Sequence, residues 1–193
     1  MTEEEYLQLK KVFPFDFPED LDREFPQLWK EKTFDRNELI TESGQIEKYF
    51  YFVLEGVQAL YLINDKGERV IFAFSYSGNF SGVFDSYLQN KPSAFFLEAL
   101  TPSRMLGLPL ESYLSLFERY PQFDRWGRVF FQRLLIGRIN REVELLTLPA
   151  KERYIDFMRR CPEELLQIPQ KFLASYLNMT PETFSRLRAK VRY

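Results

Sequence analysis

Apolar positions in this chain repeat in two rhythms, and the change between them falls near residue 120. From Thr33 the apolar stretches are short and rich in aromatic and β-branched side chains. Residues 49–54 form one such run, closed by Gly56. Residues 57–63 and 68–74 form two more, joined by Asn64-Asp65-Lys66-Gly67, a strong hairpin turn. Gly78-Asn79 and Lys91-Pro92 mark further turns, and residues 93–99 and 103–109 complete the set. Strands this short and evenly spaced predict a sandwich or a barrel. Ahead of them, residues 1–32 read as short helices around Phe13-Pro14-Phe15 and Phe25-Pro26, with packing as their role.

Beyond residue 120 the period lengthens to that of a helix. Residues 121–146 give the longest such pattern. Val129, Ile136 and Val143 fall at heptad a positions and Gln132, Ile139 and Leu146 at d, a seam with β-branched residues at a, as parallel two-stranded coils prefer. A second stripe, Phe123, Trp126, Phe130 and Leu134, is placed to pack elsewhere. Two apolar faces imply two partners, or else one helix buried within its own monomer. Residues 147–150, with Pro149, read as a hinge, and residues 151–161 as a helix stopped by Pro162.

Residues 169–191 then read as two short helices around a tight turn. Phe172, Leu173, Tyr176 and Leu177 make an apolar face, and Asn178 suits the left-handed conformation that ends a helix. Thr180-Pro181-Glu182 supplies an N-cap hydroxyl, a first-turn proline and a first-turn acid. In the second helix Phe184, Leu187 and Val191 share one side; Glu182, Ser185, Arg186 and Ala189 take the other, with Lys190 at its edge. Such a helix is built like the reading helix of a helix-turn-helix, or is the basic outer half of an ordinary helical hairpin.

Charge divides the chain too, at Pro149. From Pro149 onward nine Lys/Arg face five acids, +4; the whole chain is −2, so the first 148 residues carry −6. An acidic segment joined to a basic one is the footprint of a nucleic-acid-binding module on a partner domain. Twenty Phe, eleven Tyr and two Trp among 193 residues allow a sizeable core, in one large or two small domains. A single cysteine, Cys161, expected inert, excludes an internal disulfide framework and a Cys-ligated iron–sulfur cluster. The absence of histidine argues against haem, zinc and the common acid–base catalysts, so no metal site, no cofactor and no enzyme are expected. No apolar run reaches a membrane span and residues 1–11 hold no signal-peptide core, which predicts a cytoplasmic protein with no membrane partner.

The frame Thr180, Glu182, Thr183, Arg186 resembles the recognition-helix signature of the catabolite-activator (Crp/Fnr) family of bacterial transcription regulators. Tyr51-Phe52-Val53-Leu54-Glu55-Gly56 resembles the strand-and-glycine signature of the cyclic-nucleotide-binding β-roll, and Gly78-Asn79-Phe80-Ser81-Gly82 the entrance to its phosphate-binding cassette. The Lys91-Pro92-Ser93 turn, the Glu98-Ala99-Leu100 strand and Leu148-Pro149-Ala150-Lys151-Glu152-Arg153-Tyr154 extend the likeness over the chain from Thr33 onward.

The resemblance implies an α+β chain. It comprises a double-stranded β-helix, the cyclic-nucleotide-binding-like jelly roll (residues 1–120), then a long dimerisation helix and hinge (121–148). An all-α, winged-helix-like helix-turn-helix domain follows (149–193), lacking most of the wing because the sequence given ends at Tyr193. It also implies a homodimer along Val129, Gln132, Ile136, Ile139, Val143 and Leu146. Double-stranded DNA would be read through Gln170, Lys171, Thr180, Pro181, Glu182, Thr183, Ser185, Arg186 and Lys190, with RNA polymerase as a further partner.

Two departures concern the ligand. Cyclic-AMP binders of this family place a Glu on the ribose where Val83 stands, and an Arg on the phosphate where an ungapped alignment puts Ser93, followed by Ala94. Losing two charge-assisted hydrogen bonds weakens such binding by roughly 10²–10⁴-fold. Cyclic AMP is therefore not expected to bind in the usual way. Gly82, Val83, Phe84, Ser93 and Ala94 remain the candidate pocket, for an anion at the amides near Gly82, or for an apolar ligand if Phe84, Phe95 and Phe96 are not simply core. A third departure, Pro181 where catabolite activators carry Arg, removes one base contact. The reading from a different class keeps the roll as a ligand-binding or protein-interaction module without specific DNA binding.

Overall fold

The computed structural model describes residues 1–190. In chain order its strands are β1 (Lys30–Phe34), β2 (Leu39–Thr41), β3 (Tyr49–Glu55), β4 (Gln58–Ile63), β5 (Arg69–Ser75), β6 (Phe80–Ser81), β7 (Phe96–Ala99) and β8 (Ser103–Pro109). They pair antiparallel into two four-stranded sheets, β1-β8-β3-β6 and β2-β7-β4-β5, which face each other as a jelly roll. Its helices are α1 (Glu3–Lys10), α2 (Glu19–Leu28), α3 (Phe84–Gln89), α4 (Leu110–Arg119), α5 (Pro121–Thr147), α6 (Ala150–Arg160), α7 (Gln170–Tyr176) and α8 (Pro181–Lys190), with a 3-10 turn at Glu163–Gln167.

Three apolar clusters explain why these strands form. Successive residues of a strand point to opposite faces of its sheet. In β3, Tyr51 and Val53 turn inward to meet Val83, Leu97 and Met105 between the sheets, while Phe50, Phe52 and Leu54 turn outward. Both faces are covered, which is why β3 reads as an unbroken apolar run rather than an alternating one. The outward face is covered by Phe13, Phe25, Phe123 and Trp126, brought by the N-terminal segment and the start of α5. The outer face of the second sheet, through Ala59, Tyr61 and Ile71, is covered by Phe172, Leu173 and their neighbours from the C-terminal helices. The roll is thus the middle layer of three.

Gly56 sits where the chain turns out of β3 at φ +92°, and a Cβ there would lie 2.5 Å from the Pro102 carbonyl oxygen. Only glycine fits both demands. Strand structure begins at Lys30, three residues ahead of Thr33, where the strand-like runs were expected to start, and β2 was not foreseen. Both are short edge strands, the polar β1 beside β8 and the three-residue β2 beside β7. β7 starts at Phe96 rather than Ser93, because the Ser93 hydroxyl donates to Asp85 at 2.8 Å and accepts the Phe95 N–H at 3.2 Å, which turns the chain there.

Candidate nucleic-acid interface

α7 ends at Tyr176, and Asn178 follows in the left-handed region at φ +50°, as its side chain predicts. The Thr180 hydroxyl then accepts the Thr183 N–H at 3.2 Å and caps α8, whose first residue is Pro181. Phe184 is buried and meets the Tyr154 ring of α6 edge-on at 5.3 Å; Leu187 is half-buried beside it. Val191, the third member of the predicted stripe, lies outside the described residues. The other side of α8 is open: Pro181, Glu182, Ser185, Arg186, Ala189 and Lys190 are exposed and Thr183 is half-buried, with Gln170 and Lys171 exposed at the start of α7. The amide N–H at the start of α8 and the Thr180 hydroxyl hold the Glu182 carboxyl below the ordinary range, so it stays an ionised acceptor.

Arg153 of α6 organises the turn. Its guanidinium donates to the carbonyls of Leu177 at 3.0 Å and Asn178 at 3.1 Å, and to Leu148 at 2.6 Å. One side chain therefore ties the turn between α7 and α8 to the end of α5. Sequence reasoning missed this role. The only signal was a lone Arg following the hinge proline. The hinge itself is narrower than expected: Leu148 and Pro149 alone are extended between α5 and α6.

The helical pair sits on the second sheet through α7. β5 is an edge strand, and the Ser175 hydroxyl meets its open side, accepting from the Ile71 N–H at 3.1 Å and donating to the Arg69 carbonyl at 2.7 Å. Phe172 lies under the Arg69 guanidinium, which pairs with buried Glu98 at 2.7 Å; Glu98 also accepts from Tyr61. Arg141 of α5 stacks on Tyr176 at 3.5 Å and donates to its carbonyl, and burial draws its guanidinium pKa down. Arg160 forks onto Glu144 at 2.7 Å, joining α6 to α5. All these contacts lie behind α7 and α6, leaving the outer side of α8 uncovered.

α5 packs its second stripe against the roll as patterned except at Leu134. Phe123 and Trp126 are buried against the first sheet and Phe130 stacks on Trp126 at 5.2 Å, whereas Leu134 stays 37% exposed. Along the other face Val129, Gln132, Ile136, Ile139, Val143 and Leu146 are all exposed, Leu146 at 78%. Nothing in the chain's own fold covers that face among the described residues.

The cassette is arranged differently. Val83 is fully buried between the sheets, and its N–H faces the carboxylate of Glu47 at 3.4 Å. Glu47 is itself buried, accepting from the Thr41 hydroxyl at 2.6 Å and from the N–H groups of Lys48 and Tyr49. Burial pushes its carboxyl pKa up, against those hydrogen bonds. The amide expected to suit an anion thus already faces an internal acid. Ser93 is bonded to Asp85, Ala94 is exposed, and Phe84 turns toward Phe130 and Phe131 of α5, with its ring packed against Gly82. Phe96 stacks on Tyr61 on the outer face while Phe95 meets Phe72, so the candidate pocket residues do not converge on one space. Burial pushes the Cys161 thiol up to about 11, so it stays protonated and inert at neutral pH. Among the described residues no group of His, Cys, Asp or Glu could hold a metal ion, and no helix is long and apolar enough to cross a membrane.

Residues 31–120 match the family model of the cyclic nucleotide-binding domain. The chain is 28% identical over 179 residues to the nitrogen fixation regulation protein FixK of Bradyrhizobium diazoefficiens, spanning 88% of this chain and 74% of that one. It is 25% identical to the regulatory protein HlyX of Actinobacillus pleuropneumoniae, over 82% of this chain and 70% of HlyX. The solved structure of FixK2 from Bradyrhizobium japonicum superposes with a TM-score of 0.74 at 22% identity, covering 84% of this chain and 83% of that one. The chain carries a domain of the cyclic-nucleotide-binding kind and is homologous to regulators of the Crp/Fnr family.

Proposed function

We propose that this homologue of the Crp/Fnr regulators is itself a homodimeric, sequence-specific DNA-binding transcription regulator working in the cytoplasm. Two copies zip along Val129, Gln132, Ile136, Ile139, Val143 and Leu146, and the two α8 helices enter major grooves about one helical turn apart on a near-palindromic site. Arg186 forks onto a guanine edge and Glu182 accepts from a cytosine amino group. Gln170, Lys171, Thr180, Thr183, Ser185 and Lys190 meet phosphates or neighbouring bases, and Pro181 shapes the first turn in place of a base contact. RNA polymerase is the expected protein partner, and no residue is assigned a catalytic role.

The observation that carries this reading is the orientation of α8: Phe184 is buried on α6 while Glu182, Ser185 and Arg186 stand exposed and outward. The cassette supports a second clause, that cyclic AMP is not held in the usual way. Val83 is buried, Ser93 serves Asp85, and the side chains that Val83 and Ser93 face, Glu47 and Asp85, are acids rather than phosphate-binding cations.

Selection of random duplexes by the purified protein tests the first clause. A two-half-site motif is expected, and Arg186→Ala should relax one base per half-site and cost ~1–3 kcal/mol at the selected site, leaving non-specific retention unchanged. Selection without an enriched motif would sink it. A thermal-shift titration with cyclic AMP tests the second, and should show no response in the micromolar range.

A further inference from the structure

A groove of about 780 Å³ lies outside the roll, between the N-terminal segment and the first half of α5. Its floor is apolar and stiff. Phe15, Trp126 and Phe130 line it, Trp126 stacks on Phe130, and the indole N–H donates to the Val12 carbonyl at 3.1 Å, tying the two walls together. Its rim is cationic. Lys11, Arg125 and Arg133 line it, no Asp or Glu does, and none of the three cations meets a carboxylate among the described residues.

Other arginines on the roll are closely neutralised: Arg104 collects Glu5, Glu31 and Glu55, and Arg119 forks onto Glu24. The cations of the groove are not. A second copy zipped along the proposed seam does not mend it. Residues 121–141 of α5 hold five arginines (125, 128, 133, 138, 141) against a single acid, Asp124. In a parallel register Arg128 at heptad g faces Arg133 at e of the partner helix, so dimerisation concentrates positive charge beside the groove.

We propose that this groove binds a small anionic amphiphile, a molecule with a carboxylate or phosphate head on an apolar tail. The tail lies along Phe15, Trp126 and Phe130, and the head is held by Arg125 and Arg133 with Lys11 opposite. Binding there neutralises the like charges flanking Val129 at the start of the seam, so occupancy strengthens pairing of two copies. The groove and its charge are properties of one protomer. Only the last consequence rests on the dimer reading.

Calorimetric titration of the full chain with decanoate, decanol and decylammonium tests this. Decanoate is expected to bind in the micromolar range and to change the emission of Trp126, and the neutral and cationic probes to bind at least ~10-fold more weakly. Arg125→Gln with Arg133→Gln should weaken decanoate at least ~10-fold, while Arg36→Gln, exposed on a turn outside the groove, should leave it unchanged, with melting curves confirming that each variant folds. Equal binding of decanol, no binding of decanoate, or indifference to the double substitution overturns the proposal. Binding only of phosphatidylglycerol vesicles, with none of free decanoate, assigns the surface to a lipid sheet and overturns it too. A monomer that binds decanoate would keep the groove and lose the seam; a dimer that ignores decanoate would do the reverse. DNA binding enters neither readout.

Discussion

The cassette after β6 and the outer side of α8 both follow a tight turn and both open a short helix, yet their polar groups are spent in opposite directions. In the cassette the Val83 N–H faces Glu47, the Ser93 hydroxyl is on Asp85, and Val83 itself is packed away. On α8, Glu182, Ser185, Arg186 and Lys190 are exposed, and Arg186 and Lys190 meet no carboxylate among the described residues. Donors and acceptors satisfied at home have nothing left to offer a ligand. The difference lies in where the polar groups are spent: those of the cassette are paired within the chain, while those of α8 stand open, and the proposed roles of α8, the α5 seam and the groove beside it all start from such unpaired surface.

The largest test acts on the open side. Ile136 and Ile139 are 56% and 49% exposed, so Ile136→Glu with Ile139→Glu should leave the fold of the protomer intact. Roughly 1 kcal/mol or more is lost for each of the four half-exposed side chains that a dimer would cover. Association should then weaken ~10³-fold, read by light scattering, with DNA affinity falling alongside. A wild-type protein that is already monomeric at high concentration breaks the comparison outright.

The closed side should answer in the opposite currency. Val83→Ala empties part of the packing between the sheets and should cost about 2 kcal/mol of stability, a fall in Tm of roughly 4–8 °C. DNA affinity of the folded protein should stay where it was. If Val83→Ala left Tm unchanged and altered affinity instead, the cassette would be a working site after all. A smaller effect is expected where the two regions meet. Ser175→Ala leaves the Ile71 N–H and the Arg69 carbonyl without their side-chain partner, at about 1 kcal/mol. Faster hydrogen exchange at the Ile71 amide should report it, and unchanged exchange there would mean that water serves the edge of β5 equally well.

These tests also mark what the sequence disclosed. α5 was legible to within one residue at its end, since 27 residues of helical period leave little choice, and Asn178 and Thr180 announced the turn by their own chemistry. β1 and β2 were not legible, because β1 is polar and β2 only three residues long, and both are specified by β8 and β7, more than fifty residues away. The same holds within the sites. The exposure of Arg186 was readable because an exposed helix face obeys a local period. Glu47 was not: in Gln45-Ile46-Glu47-Lys48 it looks like any solvated acid, and its burial depends on Thr41 of β2 and on Val83 and Ser86 at the start of α3. Ser175 is the same case at greater range, its partners on β5 lying over a hundred residues back.

Glu47 offers the finest test, because it converts burial into a dependence on pH. Its carboxyl faces the Thr41 hydroxyl and the N–H groups of Lys48, Tyr49 and Val83, and no Lys or Arg side chain among the described residues, and burial outweighs those hydrogen bonds so that its pKa stands above the ordinary value of about 4.3. Between that value and its raised one, the folded protein keeps a proton that the unfolded chain has released. Stability contributed by Glu47 therefore falls as pH rises through that window, and is flat on either side of it. Glu5, Asp22 and Glu24, held below the ordinary range by Thr2 and Arg104, Lys10 and Tyr6, and Arg119 respectively, act in the opposite sense and mask the effect in the wild type alone. Glu47→Gln cannot titrate but keeps those three acids, so the difference in Tm between wild type and variant isolates the one carboxyl. That difference should favour the wild type most in acid and shrink as pH climbs past the ordinary carboxylate range. A difference that is constant with pH would mean that Glu47 reaches water, and with it that the cassette is open enough to admit a ligand.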